Sequence, residues 1–244
     1  MKTLKLVLFV FFISCASTGK LSETDIELIQ KNQSGQGINF QIEFRKGKAH
    51  NHPSFAFWIE DMDGNYIQTL FVTQFVATGI YAHGQLAPGK WSNTPGYAER
   101  PASLPYWLHK RNILNNKGNL LPTPDMPVPD AYTAATPKSD FTLKTKADNE
   151  LPKRFKLIME INQPWDSNAF WNNAKYPDNW DYLTSLQPAL IYGTNIDLTS
   201  NVKEFMLELL GHSHWSGENG ELYSDITSIT TAINIIKQVV VVIQ

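Results

Sequence analysis

The fold class that the sequence predicts is mainly β: an immunoglobulin-like two-sheet β-sandwich with long loop insertions and a short crossover helix. Three features predict it. Ile38, Phe40, Ile42 and Phe44 alternate with polar residues, the period of a half-buried strand. Two dense apolar runs, 54–60 (SFAFWIE) and 66–73 (YIQTLFVT), flank Asp63-Gly64, so they read as a hairpin. Further strand-sized runs then recur, with turn signals between them, to the end of the chain.

Taken in order, residues 1–14 read as a lipoprotein signal peptide. Lys2 and Lys5 precede an apolar run too short to stay in a bilayer as a spanning helix. Phe12-Ile13-Ser14-Cys15 resembles a lipobox, which marks Cys15 as the lipidated residue and places the chain in the cell envelope, anchored to a membrane that faces the periplasm or the cell surface. Cys15 is the only cysteine, so the chain has no disulfide, and an exported domain must rely on its core. Residues 15–37 are polar and read as a flexible tether, with a short helix allowed over 24–31. Residues 38–244 read as one β-sandwich domain, long enough for a sizeable core. A net charge of −2 with no basic stripe argues against nucleic acid as a partner.

Within the domain, Asp61 and Asp63 echo the start of a calcium loop, but the closing Glu is missing and the segment is expected to be a turn. Residues 74–137 are poor in strand patterns and rich in Pro, Gly, Asn and aromatics. Strands are expected again at 141–144, 155–162, 189–192, 204–210 and 239–243. Ile226, Ile229, Ile233 and Ile236 stand at helical spacing, which predicts the crossover helix.

Several of these segments also carry a resemblance. FWIEDMDGNYIQTLFVT, then Arg100-Pro101 with Leu104-Pro105-Tyr106-Trp107-Leu108-His109, then Asp130 to Pro137 (DAYTAATP), are similar to the exported family known as domain of unknown function 2271. The resemblance covers about residues 38–243 and implies a periplasmic setting near flavin-handling proteins; the family has no established activity. Insertions at 112–129 and 163–187 depart from its pattern.

Three groups of residues carry candidate chemistry. His50 and His52 precede a strand, and His212 and His214 follow one; if these ends met, four imidazoles would suit a divalent metal, zinc or copper, with Glu218 or Asp225 as an oxygen ligand. The alternative is that they are loop histidines. Asp130 to Thr136 resembles the segment that receives covalent FMN in flavinylated carriers, with Thr136 at the modified position; a plain turn fits the same composition. Trp165, Trp171 and Trp180, set among Asn and Asp, suit sugar faces, or alternatively pin a long loop to the sandwich.

Catalytic motifs are otherwise missing: the sequence has no GxSxG elbow, no HExxH and no phosphate-binding glycine loop. The expected function is therefore a non-enzymatic envelope lipoprotein that binds a small ligand or an envelope protein. A flavin-carrying redox protein and an uncharacterised hydrolase are the alternatives.

Overall fold

A computed structural model describes residues 26–244, so the signal segment and Cys15 lie outside the described residues. The first element is a strand, β1 (Glu27–Gln30), where the sequence suggested a tether or a helix. It pairs in parallel with a later strand, and Ile29 is buried in the core. Asn32, in a left-handed conformation, continues the attachment by donating to the Lys146 carbonyl and the Asp148 carboxylate. The domain thus begins before residue 38.

Next come β2 (Asn39–Lys46), β3 (Ser54–Glu60) and β4 (Tyr66–Thr73). β2 buries Phe40, Ile42 and Phe44 on one face, as the alternation requires. β3 and β4 form the expected hairpin. At its turn, Asp61 accepts hydrogen bonds from the Asn65 backbone and side-chain amides, and Gly64 takes φ 87°. Those bonds occupy both carboxylate oxygens, and the segment is a turn.

The strand-poor stretch folds into short pieces: α1 (Gln74–Thr78), β5 (Ile80–Tyr81), β6 (Gln85–Ala87), β7 (Lys90–Trp91), β8 (Gly96–Tyr97), α2 (Pro105–Arg111) and β9 (Thr133–Ala134). Then follow β10 (Phe141–Lys146), β11 (Arg154–Asn162), α3 (Trp180–Leu183), β12 (Leu190–Asp197), β13 (Glu204–Met206), β14 (Glu208–His212) and β15 (Ile236–Ile243).

Two sheets stack as a β-sandwich. One has the order β1-β10-β2-β15-β13, the other β14-β12-β11-β3-β4-β9. The run expected as one strand at 204–210 is two, because the chain changes sheet at Leu207. β1 and β9 pair in parallel with their neighbours, a departure from the all-antiparallel immunoglobulin pattern.

The crossover helix is absent. Residues 226–235 form turns and one 3-10 turn, and Ile236 opens β15. Carboxylate and carboxamide side chains take the backbone donors that a helix would use: Asp225 accepts from the Thr227 amide, and Gln187 from the Thr230 amide. Competition of this kind disfavours helix in a Thr- and Ile-rich stretch.

Every residue of β3 is buried because both faces of its sheet are covered. Phe55, Phe57 and Ile59 face the other sheet, and Phe55 stacks with Phe44 and Phe141. Ala56 and Trp58 face outward into a second core under α1 and α2, with Leu104, Trp107 and Leu108. Trp58 therefore lies beneath a helical cover and not between the sheets.

Glu160, on the same outer face, is fully buried. Its carboxyl accepts the Tyr106 and Trp107 amides at 3.1 and 2.7 Å, supplying acceptors for the otherwise unpaired first turn of α2.

Candidate functional site

Antiparallel pairing sets Ser54, at the start of β3, opposite Asn162, at the end of β11. At this end of the six-stranded sheet, the loop 163–187 and the segment 74–103 meet around a cavity of about 300 Å³. Its base is polar but internally satisfied. The single Ser185 hydroxyl proton is shared between Asn162 Oδ1 at 3.0 Å and the Ala102 carbonyl at 3.1 Å, and Asn162 donates to the Gln187 carbonyl. Its walls include Phe75, Tyr81 and Trp165. His83 also lines it, with Nδ1 placed to donate to the Ser92 carbonyl.

Arg100 is the exceptional member of this wall. It follows β8 and is only 6 % exposed, yet none of the four ion pairs among the described residues includes it. Arg45 and Arg154, by contrast, have carboxylate partners. The Nε of Arg100 is buried without a hydrogen-bond acceptor. Its guanidinium carbon lies 4.3 Å from the Tyr81 ring centroid, 5.1 Å from Trp91 and 5.3 Å from Trp165. Aromatic faces attract a cation but accept few of its hydrogen bonds. Burial lowers the guanidinium's proton affinity, with Tyr81 acting the other way. Burial also pushes the Tyr81 hydroxyl up to about 12, so it stays neutral and provides no counter-charge. The result is a desolvated cation facing an apolar cavity with no carboxylate partner among the described residues.

A second cavity, of about 320 Å³, adjoins the first and shares Trp165 and Thr184 with it. Trp91 and Trp180 complete its aromatic lining.

Of the tryptophans singled out by sequence, Trp165 and Trp180 are 53 % and 46 % exposed and line these cavities. Trp171 is buried, with its indole donating to the Ser228 hydroxyl at 3.0 Å, so it pins the loop.

The histidine pairs do not converge. Both lie at the same end of the six-stranded sheet, but β11 and β12 stand between β3 and β14. Three strand spacings amount to roughly 14 Å, far more than one ion spans. His50 packs its ring on Phe44, whereas His52 lines the first cavity. His212 stacks on Tyr223, and His214 Nδ1 accepts from the Ser216 hydroxyl. Asp225 is engaged with Thr227, and no group of three metal-ligating side chains, with Glu218 or otherwise, occurs among the described residues.

Thr136 is buried and donates to the Pro53 carbonyl at 3.3 Å. A covalent flavin needs an accessible hydroxyl, so this threonine is not placed for it. Ser213, between the two histidines, is also buried; it donates to the Ala189 carbonyl, and His212 Nδ1 points to the Ser213 carbonyl instead of the hydroxyl. These residues do not form a nucleophile and base.

Sequence reasoning missed Arg100 as a site residue, together with Tyr81 and Trp91. One signal was present: Arg100 is one of only four arginines, set in a segment dense in aromatics. No family model, curated protein or solved structure matches the chain.

Proposed function

We propose that this chain is a cell-envelope lipoprotein whose β-sandwich binds a small ligand through an anionic group, with the rest of the ligand against aromatic walls, without chemical turnover. The observation that carries the reading is Arg100: a buried guanidinium without a counter-ion among the described residues, in the wall of an aromatic-lined cavity. A buried charge is costly unless paired, and a carboxylate, sulfonate or phosphate on a ligand would supply the pair in bidentate geometry. The apolar walls would take the remainder of the ligand, the usual division of labour in small-molecule sites.

Two dyes of similar shape test this. An anilinonaphthalene sulfonate carries the anion, whereas phenylnaphthylamine is uncharged. Arg100→Gln is expected to weaken sulfonate binding about 10–100-fold, the value of a charge-assisted hydrogen bond, and the neutral dye by less than about threefold. An equal loss for both dyes would show that Arg100 only supports the walls.

The envelope location rests on Lys2, Lys5, the following apolar run and Cys15. No helix among the described residues is long and apolar enough to cross a membrane, and the attachment proposed is the lipid on Cys15. Cys15→Ser is expected to move the protein out of the membrane fraction, or to block its processing, with the thermal midpoint of the domain unchanged. Membrane recovery equal to the parent's would remove the anchor from the account.

A further inference from the structure

The Arg100 guanidinium lies at the seam of two cavities. Tyr81 belongs to the first, Trp91 to the second and Trp165 to both, and all three rings lie within 5.3 Å of its carbon. A ligand whose anion reaches this cation can therefore extend into either cavity. The two differ in chemistry. The first is mostly apolar around Phe75 and Tyr81, whereas the second presents indole faces beside Asn173 and Thr184.

The indoles of the second cavity come from three separate segments. Trp91 closes the β6–β7 hairpin, Trp180 opens α3, and Trp165 stands in the loop after β11. The hairpin turn is seated on one of them: a Cβ added at Gly89, which has φ 70°, would lie 2.3 Å from the Trp180 ring. Trp165 has φ 56°, an unfavourable backbone conformation for an aromatic residue. The hydrogen bond from its amide to the Thr184 carbonyl at 3.2 Å holds that backbone, and the ring stays half-exposed in the shared wall. Large aromatics are normally buried, and two half-exposed indoles lining one cavity leave stacking faces open to an occupant.

Flat indole faces suit the CH-rich face of a pyranose ring, and amide and hydroxyl side chains suit its hydroxyl groups. We propose that the occupant is an acidic oligosaccharide: one sugar carboxylate pairs with Arg100, and the adjoining sugar stacks between Trp91, Trp165 and Trp180. This rests on the anion site at Arg100 and adds a second subsite, so the ligand class becomes a glycan of at least two rings.

The test uses calorimetry on the full-length chain with trigalacturonate, its methyl ester, and monomeric galacturonate. Trigalacturonate is expected to bind at least about tenfold more tightly than the monomer. Trp180→Ala should abolish that chain-length advantage and leave monomer binding within about threefold of the parent. Arg100→Gln should abolish the preference of acid over ester. No advantage of trimer over monomer, or an advantage that survives Trp180→Ala, would overturn the proposal. The sulfonate dye separates the two readings. Arg100-dependent dye binding without trimer binding rejects the glycan and keeps the anion site, whereas loss of both rejects both.

Discussion

Trp58→Ala is expected to destabilise the domain by about 3–5 kcal/mol, the range of large aromatic truncations in cores. Trp58 is fully buried on the outward face of β3, and its ring lies 5.9 Å from that of Tyr106. Its indole donates to Glu60 at 2.9 Å. Glu60 in turn lies 3.5 Å from the Lys110 ammonium of α2. The substitution thus opens a cavity under α2 and removes a donor from a buried carboxylate, two costs that act together. Trp58→Phe keeps most of the packing and loses the donor, and is expected to cost about 1–3 kcal/mol. Urea unfolding followed by circular dichroism measures both. A loss below about 1 kcal/mol for the alanine variant would be typical of a surface position and would mean that the helical cover over β3 is wrong.

The second large effect concerns Glu160 and pH. Burial pushes its carboxyl up to about 8, while the Trp107 and Tyr106 amides draw it down. In the unfolded chain it returns to about 4.3. The folded value is the higher one, so its contribution is fully present below about pH 4.3 and is lost as pH rises through about 8. The loss over that window amounts to a few kcal/mol. Glu160→Gln removes the titration but leaves a single acceptor oxygen for the two α2 amides. The variant is therefore expected to be less stable than the parent near pH 5, with the gap closing or reversing by about pH 8.5. His50, which burial lowers with help from Lys46, contributes with the opposite slope, since its stabilisation is lost as pH falls. The difference between variant and parent isolates Glu160, because His50 is common to both. Thermal midpoints at four or five pH values provide the check; a constant gap across the range would show that Glu160 is ionised throughout.

The parts of the fold that the sequence revealed are those encoded locally. The alternation in β2 needs only one buried face, and the β3–β4 hairpin carries its own Asp-Gly turn. Where the pattern depended on distant partners it misled. Ile226, Ile229, Ile233 and Ile236 have helical spacing, yet Gln187, from a loop some forty residues earlier, takes the Thr230 amide. β1 looks like a linker because only Ile29 is buried, and its partner β10 follows more than a hundred residues later. The candidate site divides along the same line. Trp165 and Trp180 stood out as exposed-aromatic candidates within one loop. Arg100 did not, because its character arises from what it lacks. An arginine is notable only when buried without a carboxylate, and burial here is built by four segments that meet in space.

Crystals soaked with para-bromobenzoate test the anion site most directly, because bromine is located by its anomalous signal and the carboxylate marks the charge. The account predicts bromine within the cavity between Phe75, Tyr81 and Trp165, with both carboxylate oxygens on the Arg100 guanidinium. Bromine found only elsewhere on the molecule, or a carboxylate turned to solvent with Arg100 unpaired, would contradict it.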